Sequence, residues 1–213
     1  MSNQNIRVLI VDDHAIVRAG FKQLLGTAND ICVIAEACSG EEAIELSLQE
    51  EPDVVVMDIN MPGIGGIEAI SRITARLPEA GIIALTVHET EPFPTRVMEA
   101  GAKAYLTKRC APEELVQAVR ETYAGGSYIS ESVRTEMAKA KLDQNNPLAE
   151  LSSREFQVFD LMARGKSVIE VGNSMHLSHK TIYTHKANIQ KKLNLETHLE
   201  IIQFARQHNL IDD

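Results

Sequence analysis

Five short apolar runs, each followed by a segment of helical period, restrict this chain more than any other feature. The runs at 6–11, 31–37, 54–57 and 81–86 are rich in Val and Ile, and that at 104–107 is Ala-Tyr-Leu-Thr. They are too continuously apolar for a sheet with one wet face, so both faces must be covered. The intervening segments at 14–26, 40–49, 65–76, 92–100 and 112–124 supply the cover. Ser39 with Glu42 three residues on reads as a capping box, and Pro112 sits where a first-turn proline is tolerated. Strand and helix alternating in this way predict an α/β fold, a five-stranded doubly wound parallel sheet with its ligand crevice at the carboxyl ends of the strands.

The pattern changes after residue 124. Gly125 and Gly126 end the fifth helix, and the polar stretch up to Pro147 reads as a linker with one short helix at 131–142. Four helical segments without strands follow, at 153–163, 169–175, 179–193 and 198–208, which predicts a second, smaller all-α domain. The expected division is 1–125, a linker at 126–147, and 148–213. A length of 213 residues suits two domains, and 44% hydrophobic against 24% charged residues excludes a disordered or collagen-like chain. No run approaches the roughly 20 apolar residues of a membrane span, so a soluble, cytoplasmic chain with no membrane partner is expected. Cys32, Cys38 and Cys110 lack the spacing of a disulfide framework or a zinc site.

The net charge of −9 is unevenly placed. Residues 1–150 hold 13 Lys/Arg against 23 Asp/Glu, whereas 151–213 hold 8 against 7. From Ser178 to Lys192 there are four lysines, Lys180, Lys186, Lys191 and Lys192, and no acid. A basic stripe on a small helical domain invites a nucleic-acid hypothesis. It also gives the acidic domain an electrostatic reason to dock on that stripe and hide Lys180 to Lys186.

Polar residues terminate four of the apolar runs: Asp12 and Asp13, Asp58, Thr86, and Thr107 with Lys108. In a parallel sheet these ends share one edge, which gathers three carboxylates, a hydroxyl and an amine. Clustered carboxylates repel unless a cation neutralises them, and Mg²⁺ favours a few carboxylate oxygens with water and phosphate. Asp58 is then placed to attack a phosphoryl group, with Lys108 steadying its oxygens and Thr86 donating a hydrogen bond to the product. Taken singly, each residue is an ordinary turn former or a solvated side chain. An aspartyl-nucleophile phosphatase would show two acids separated by one residue on the first strand; His14-Ala15-Ile16 begins a helix instead. Neither GxxxxGK[ST] nor GxGxxG is present.

In the helical domain, Leu177-Ser178 leads into His179-Lys180-Thr181-Ile182-Tyr183-Thr184, an N-capped helix bearing hydroxyl, basic and aromatic groups. The segment before it is separated by a short turn, which is helix-turn-helix spacing. Ile182, Ile189 and Leu193 form its inner face. For an isolated charged helix, a merely solvated face would be the better reading of Lys186, Lys191 and Lys192.

Leu9-Ile10-Val11-Asp12-Asp13-His14, Asp58-Ile59-Asn60-Met61-Pro62-Gly63, Leu85-Thr86 and Tyr105-Leu106-Thr107-Lys108 resemble the receiver domains of bacterial two-component response regulators, which are flavodoxin-like. Leu151-Ser152-Ser153-Arg154-Glu155, Gly165-Lys166-Ser167 and the 177–193 segment resemble the LuxR-type helix-turn-helix. The pairing is similar to the NarL/FixJ class, and Thr86-Val87-His88 and Pro92-Phe93-Pro94 to its GacA/UvrY-like subgroup. The resemblance implies that Asp58 is the phosphoacceptor and that Asp13, Asp58 and the Asn60 carbonyl bind Mg²⁺ with support from Asp12. Thr86 and Tyr105 would be the switch pair. Lys180, Thr181, Tyr183, Thr184 and Lys186 would face double-stranded operator DNA, with Lys191 near the phosphates. A hybrid sensor histidine kinase as donor, promoters of small regulatory RNAs as targets, and a homodimer formed on phosphorylation or DNA binding are implied as well. The expected activity is transcriptional control rather than enzymatic turnover; the alternative is an interaction module that does not bind DNA specifically. The chain departs from many members at Arg109, where a proline is frequent, at Gly172, where Ala is, and at Tyr183, where Lys is.

Overall fold

The computed structural model describes residues 5–88, 90–142, 147–208 and 210–211; residues 143–146 of the expected linker lie outside it. β1 (Ile6–Val11), β2 (Ile31–Ala37), β3 (Val54–Asp58), β4 (Gly81–Thr86) and β5 (Ala104–Thr107) alternate with α1 (Ala15–Leu25), α2 (Gly40–Glu50), α3 (Gly65–Arg76), α4 (Phe93–Glu99) and α5 (Pro112–Tyr123). The sheet has six strands rather than five. β6 (Tyr128–Ile129) follows the Gly125-Gly126 turn and pairs parallel with β5, Ala104 opposite Tyr128. Two residues at a sheet edge carry no alternation to read, so the glycine turn hides them. The strand order is β2-β1-β3-β4-β5-β6, and every pair is parallel.

Alternate residues divide between two apolar layers, as a doubly covered sheet requires. Val8, Ile10, Val54, Val56, Ile83 and Leu85 pack toward α1 and α5 with Leu25, Leu115 and Val119. Leu9, Val55, Met57, Ile82 and Ala84 pack toward α2, α3 and α4 with Ile44, Ile70 and Val97. Val11 lies opposite Met57, Asp58 opposite Leu85, and Thr86 opposite Thr107, so the polar strand ends are level. The Ser39 cap forms, its side chain accepting from the Glu42 N–H. Glu42 turns to the Cys38 N–H at 2.7 Å, however, so the box is only half made.

α6 (Glu131–Leu142) leads toward a 3-10 turn (Pro147–Glu150) and four helices, α7 (Ser153–Ala163), α8 (Val168–Met175), α9 (His179–Leu193) and α10 (His198–Gln207). Complete capping boxes start α7 at Ser152 and Glu155, α8 at Ser167 and Glu170, and α10 at Thr197 and Glu200. Each satisfies end amides that a short helix cannot leave bare. Phe156, Phe159, Val171, Ile182, Ile189, Ile201 and Ala205 are buried among these helices. At Gly172 a Cβ would lie 3.0 Å from both the His179 ring and the Leu177 carbonyl, so the glycine admits the tight turn between α8 and α9 rather than simply weakening α8.

The two units are docked, but not through the basic stripe. α7 packs on α3, and the Gly63 peptide is held on both sides: its N–H donates to the Ser174 carbonyl at 2.9 Å, and its carbonyl accepts from Arg154 at 3.0 Å and Gln157 at 3.2 Å. Arg96 donates to the Leu148 and Leu151 carbonyls. Lys180, Tyr183, Thr184 and Lys191 remain exposed, and Thr181 and Lys186 half-buried. The expected masking of Lys180 to Lys186 is therefore corrected: carbonyls and aromatic rings make the contact, not long-range charge. No helix among the described residues is long and apolar enough to cross a membrane.

Candidate functional site

Asp12 and Asp13 follow β1, Asp58 ends β3, and Lys108 follows β5, which brings them to one edge. Asp12 and Asp58 are buried. Lys108 Nζ lies 2.6 Å from Asp12 Oδ2 and 2.8 Å from Asp58 Oδ2, bridging the two. The Asn60 N–H donates to Asp58 Oδ1 at 3.0 Å, and the His14 N–H to Asp12 Oδ1 at 2.8 Å. Burial pushes the Asp58 carboxyl above its ordinary value, against the opposing pull of Lys108 and the Asn60 amide. Burial works against the Lys108 ammonium too, but its bonds to Asp12 and Asp58 outweigh it and hold the amine's pKa up.

α3 begins directly behind Asp58. A Cβ at Gly66 would lie 2.2 Å from the Asp58 carbonyl oxygen and 2.5 Å from Ile59 Cα, so only glycine permits this approach.

The donor set fits a hard dication. Asp12, Asp13, His14 and Asp58 each place one ligand atom within 4.8 Å of the others. Asp13 Oδ1 is buried without a hydrogen bond, although His14 Nδ1 lies 2.9 Å away in poor geometry. A buried carboxylate oxygen without a partner is costly unless a cation takes it. His14 was not among the residues singled out from the sequence; its place beside two acids is the signal that would have found it.

Thr86 and Tyr105 are both buried. Thr86 Oγ1 donates to Asn60 Oδ1 at 3.2 Å and accepts from the His88 N–H at 3.1 Å, while the Tyr105 hydroxyl donates to the His88 carbonyl at 2.8 Å. The His88 ring stacks on Phe93 with centroids 3.8 Å apart, and burial lowers its pKa to about 4, so it is neutral near pH 7. The sequence places this histidine only within the Thr86-Val87-His88 stretch of the subgroup resemblance and gives it no role, because its position in a loop after β4 carries no chemistry of its own.

On α9, Ser178 caps the helix by accepting from the Thr181 N–H. Ile182, Ile189 and Leu193 are buried, which leaves Lys180, Tyr183, Thr184 and Lys191 on the outside and Thr181 and Lys186 at its margin. Lys192 is spent internally: its Nζ donates to Glu155 Oε2 at 2.6 Å and to the Glu150 carbonyl. The outward face is therefore basic, hydroxylated and aromatic.

Comparison with known proteins adds two family matches: the response regulator receiver domain over residues 8–120, and the bacterial regulatory proteins of the luxR family over 149–205. The chain is 39% identical over 208 residues to the response regulator UvrY of Escherichia coli (strain K12), covering 96% of this chain and 95% of that protein. It is 37% identical over 210 residues to the response regulator GacA of Pseudomonas aeruginosa, covering 97% and 98%. Among solved structures, RcsB from Salmonella enterica serovar Typhimurium, bound to promoter rprA in the presence of the phosphomimetic BeF3-, is 26% identical with a TM-score of 0.69, covering 94% of this chain and 98% of that one.

Proposed function

The chain belongs to the bacterial response regulators, a receiver domain joined to a luxR-family domain, and on that premise we propose that a phosphoryl group on Asp58 governs DNA binding by α9 and hence transcription. The receiver would comprise residues 1–125, the linker 126–147 and the DNA-binding domain 148–213. The observation that carries the reading is the Lys108 ammonium bridging Asp58 and Asp12 at a buried strand edge.

The donor is a sensor histidine kinase, of hybrid type by likeness to the subgroup. An Asp58 carboxylate oxygen attacks the phosphorus of a phosphohistidine; the new P–O bond forms as the P–N bond breaks, and the released imidazole nitrogen takes a proton from solvent. Lys108 turns from the carboxylates to the transferred oxygens, and Thr86 supplies a hydroxyl donor to one of them. Asp13, Asp58 and the Asn60 carbonyl would hold Mg²⁺ with Asp12 in support, and the ion would neutralise the carboxylates and the phosphoryl oxygens together. The protein works as a cytoplasmic switch rather than as a turnover enzyme.

On DNA, Lys180, Thr181, Tyr183, Thr184 and Lys186 face the groove and Lys191 the phosphates. One small domain reads few bases, so a homodimer on two half-sites is the economical arrangement. Leu199, on the outer side of α10, is 62% exposed, while Ile201 and Ala205 are buried in the unit's own core; only the outer part of that helix is left for a partner copy.

The test is Asp58→Asn with a small acyl phosphate and Mg²⁺. The unaltered protein gains an acid-stable, base-labile phosphoryl group and binds operator DNA more tightly; the variant does neither. Uptake at the same rate by the variant removes Asp58 from the mechanism. Binding of the phosphorylated protein to unrelated DNA and operator alike would favour the interaction-module alternative.

A further inference from the structure

The hydroxyls of Thr86 and Tyr105 are both engaged with the backbone of His88, while the ring of the same residue faces the helical unit. Its N–H holds Thr86 Oγ1 and its carbonyl holds the Tyr105 hydroxyl. The ring lies flat on Phe93, the two planes 1° apart, and Phe93 meets the edge of Phe156 of α7 at 5.1 Å. His88 Nε2 is 3.0 Å from Asn60 Nδ2 and 3.4 Å from a guanidinium nitrogen of Arg164, the C-cap residue of α7. Two donors converge on Nε2, which makes it the acceptor nitrogen of the ring and leaves the proton on Nδ1.

We propose that His88 is a positioning residue through which seating of the helical unit and occupation of Asp58 by a phosphoryl group oppose each other. This rests on the phosphoacceptor reading above and extends it by naming the side chain at which the two states compete. For Thr86 to donate to a phosphoryl oxygen it must release Asn60 Oδ1 and turn its oxygen from the His88 N–H. That half-buried amide then loses its partner, and the backbone of His88 shifts to find another. The ring cannot follow without leaving Arg164 of the helical unit and disturbing the Phe93 ring that meets Phe156 across the seam. Coupling of this kind is reciprocal: a phosphoryl group loosens the helical unit by the factor by which the seated unit weakens the phosphoryl group's hold.

Arg96 offers a second handle: it ties the receiver to the Leu148 and Leu151 carbonyls and lies over the Phe156 ring at 4.3 Å, but it touches neither switch hydroxyl nor His88. The experiment uses the full chain in four forms: unaltered, Arg96→Ala, His88→Ala and the double variant. Beryllofluoride with Mg²⁺ is the probe, its affinity read by titration and the separation of the units by small-angle scattering. Arg96→Ala is expected to open the molecule and raise beryllofluoride affinity about tenfold. In the His88→Ala background the same substitution should still open it but change affinity less than about twofold. Arg96→Glu, which sets a carboxylate against the two carbonyls, takes its place in the cycle if the alanine leaves the units seated. An equal gain in both backgrounds would mean that the coupling bypasses His88, and no gain in an opened molecule would mean that there is no opposition; either overturns the inference. Binding of beryllofluoride by none of the four overturns the phosphoacceptor reading itself, and this inference with it.

Discussion

At the sheet edge Asp12, Asp58, Thr86 and Tyr105 are all but removed from water, whereas on α9 Tyr183 keeps 61% of its surface and Lys180, Thr184 and Lys191 stand outside the core. A polar group taken from water must be paired, and each buried member of the first set has a named partner within 3.3 Å. On α9 the pairing is left to whatever the helix meets; Thr184 merely bonds back to the Lys180 carbonyl one turn earlier. The difference teaches that chemistry and folding are inseparable at the sheet edge and separable on the helix. Lys192 marks the limit of that separation, because its bond to the buried Glu155 makes it part of the scaffold.

The largest expected effect comes from the backbone behind Asp58. Gly66→Ala would drive a methyl group into the Asp58 carbonyl and Ile59, and a loss of at least about 3 kcal/mol is expected in urea unfolding of the receiver transition. A variant within about 0.5 kcal/mol of the unaltered protein would show that the strand edge yields easily, and would break the comparison.

A smaller loss is expected from Lys108→Met, which leaves the buried Asp12 and Asp58 carboxylates without their shared cation. In chelator the cost should be roughly 2–4 kcal/mol. Added Mg²⁺ should recover much of it by supplying the missing charge, so the midpoint of the variant should rise more steeply with Mg²⁺ than that of the unaltered protein. Equal Mg²⁺ dependence would separate the amine from the metal site.

The smallest change in folding belongs to Tyr183→Ala. Stability should stay within about 0.5 kcal/mol, as expected for an exposed helical position, while operator affinity falls about tenfold at fixed salt. A fall in stability larger than the fall in binding free energy would place Tyr183 with the scaffold and erase the contrast.

The same contrast explains what could be read from the residues. β1, β2, β4 and β5 begin and end where the apolar runs do; in β1 and β4, buried on both faces, nearly the whole length is written in apolar side chains. β6 is two residues at an edge and writes nothing. Asp12, Asp13, Asp58 and Lys108 could be gathered on paper since parallel register levels the strand ends. Docking could not be read, because the groups that receive it are main-chain carbonyls at Gly63, Leu148 and Leu151, which every residue possesses. Charge pointed instead to α9, whose lysines face away from the receiver's grip. His88 escaped for a related reason: its backbone, rather than its side-chain type, holds Thr86 and Tyr105.

From His88 the rings of Phe93, Phe156, Phe159, Phe204 and His208 follow one another at centroid spacings of 3.8, 5.1, 6.5, 6.0 and 4.3 Å, ending at the residue just after α10. Only the step from Phe93 to Phe156 crosses from one unit to the other. For the shuffling of modules by recombination, this makes one position a compatibility rule. A foreign receiver with an aliphatic side chain at the place of Phe93 would present the wrong shape to Phe156, and the chimaera would inherit both activities without the restraint of one by the other. Lineages that exchange receivers freely would have to carry that ring with them or discover a new joint.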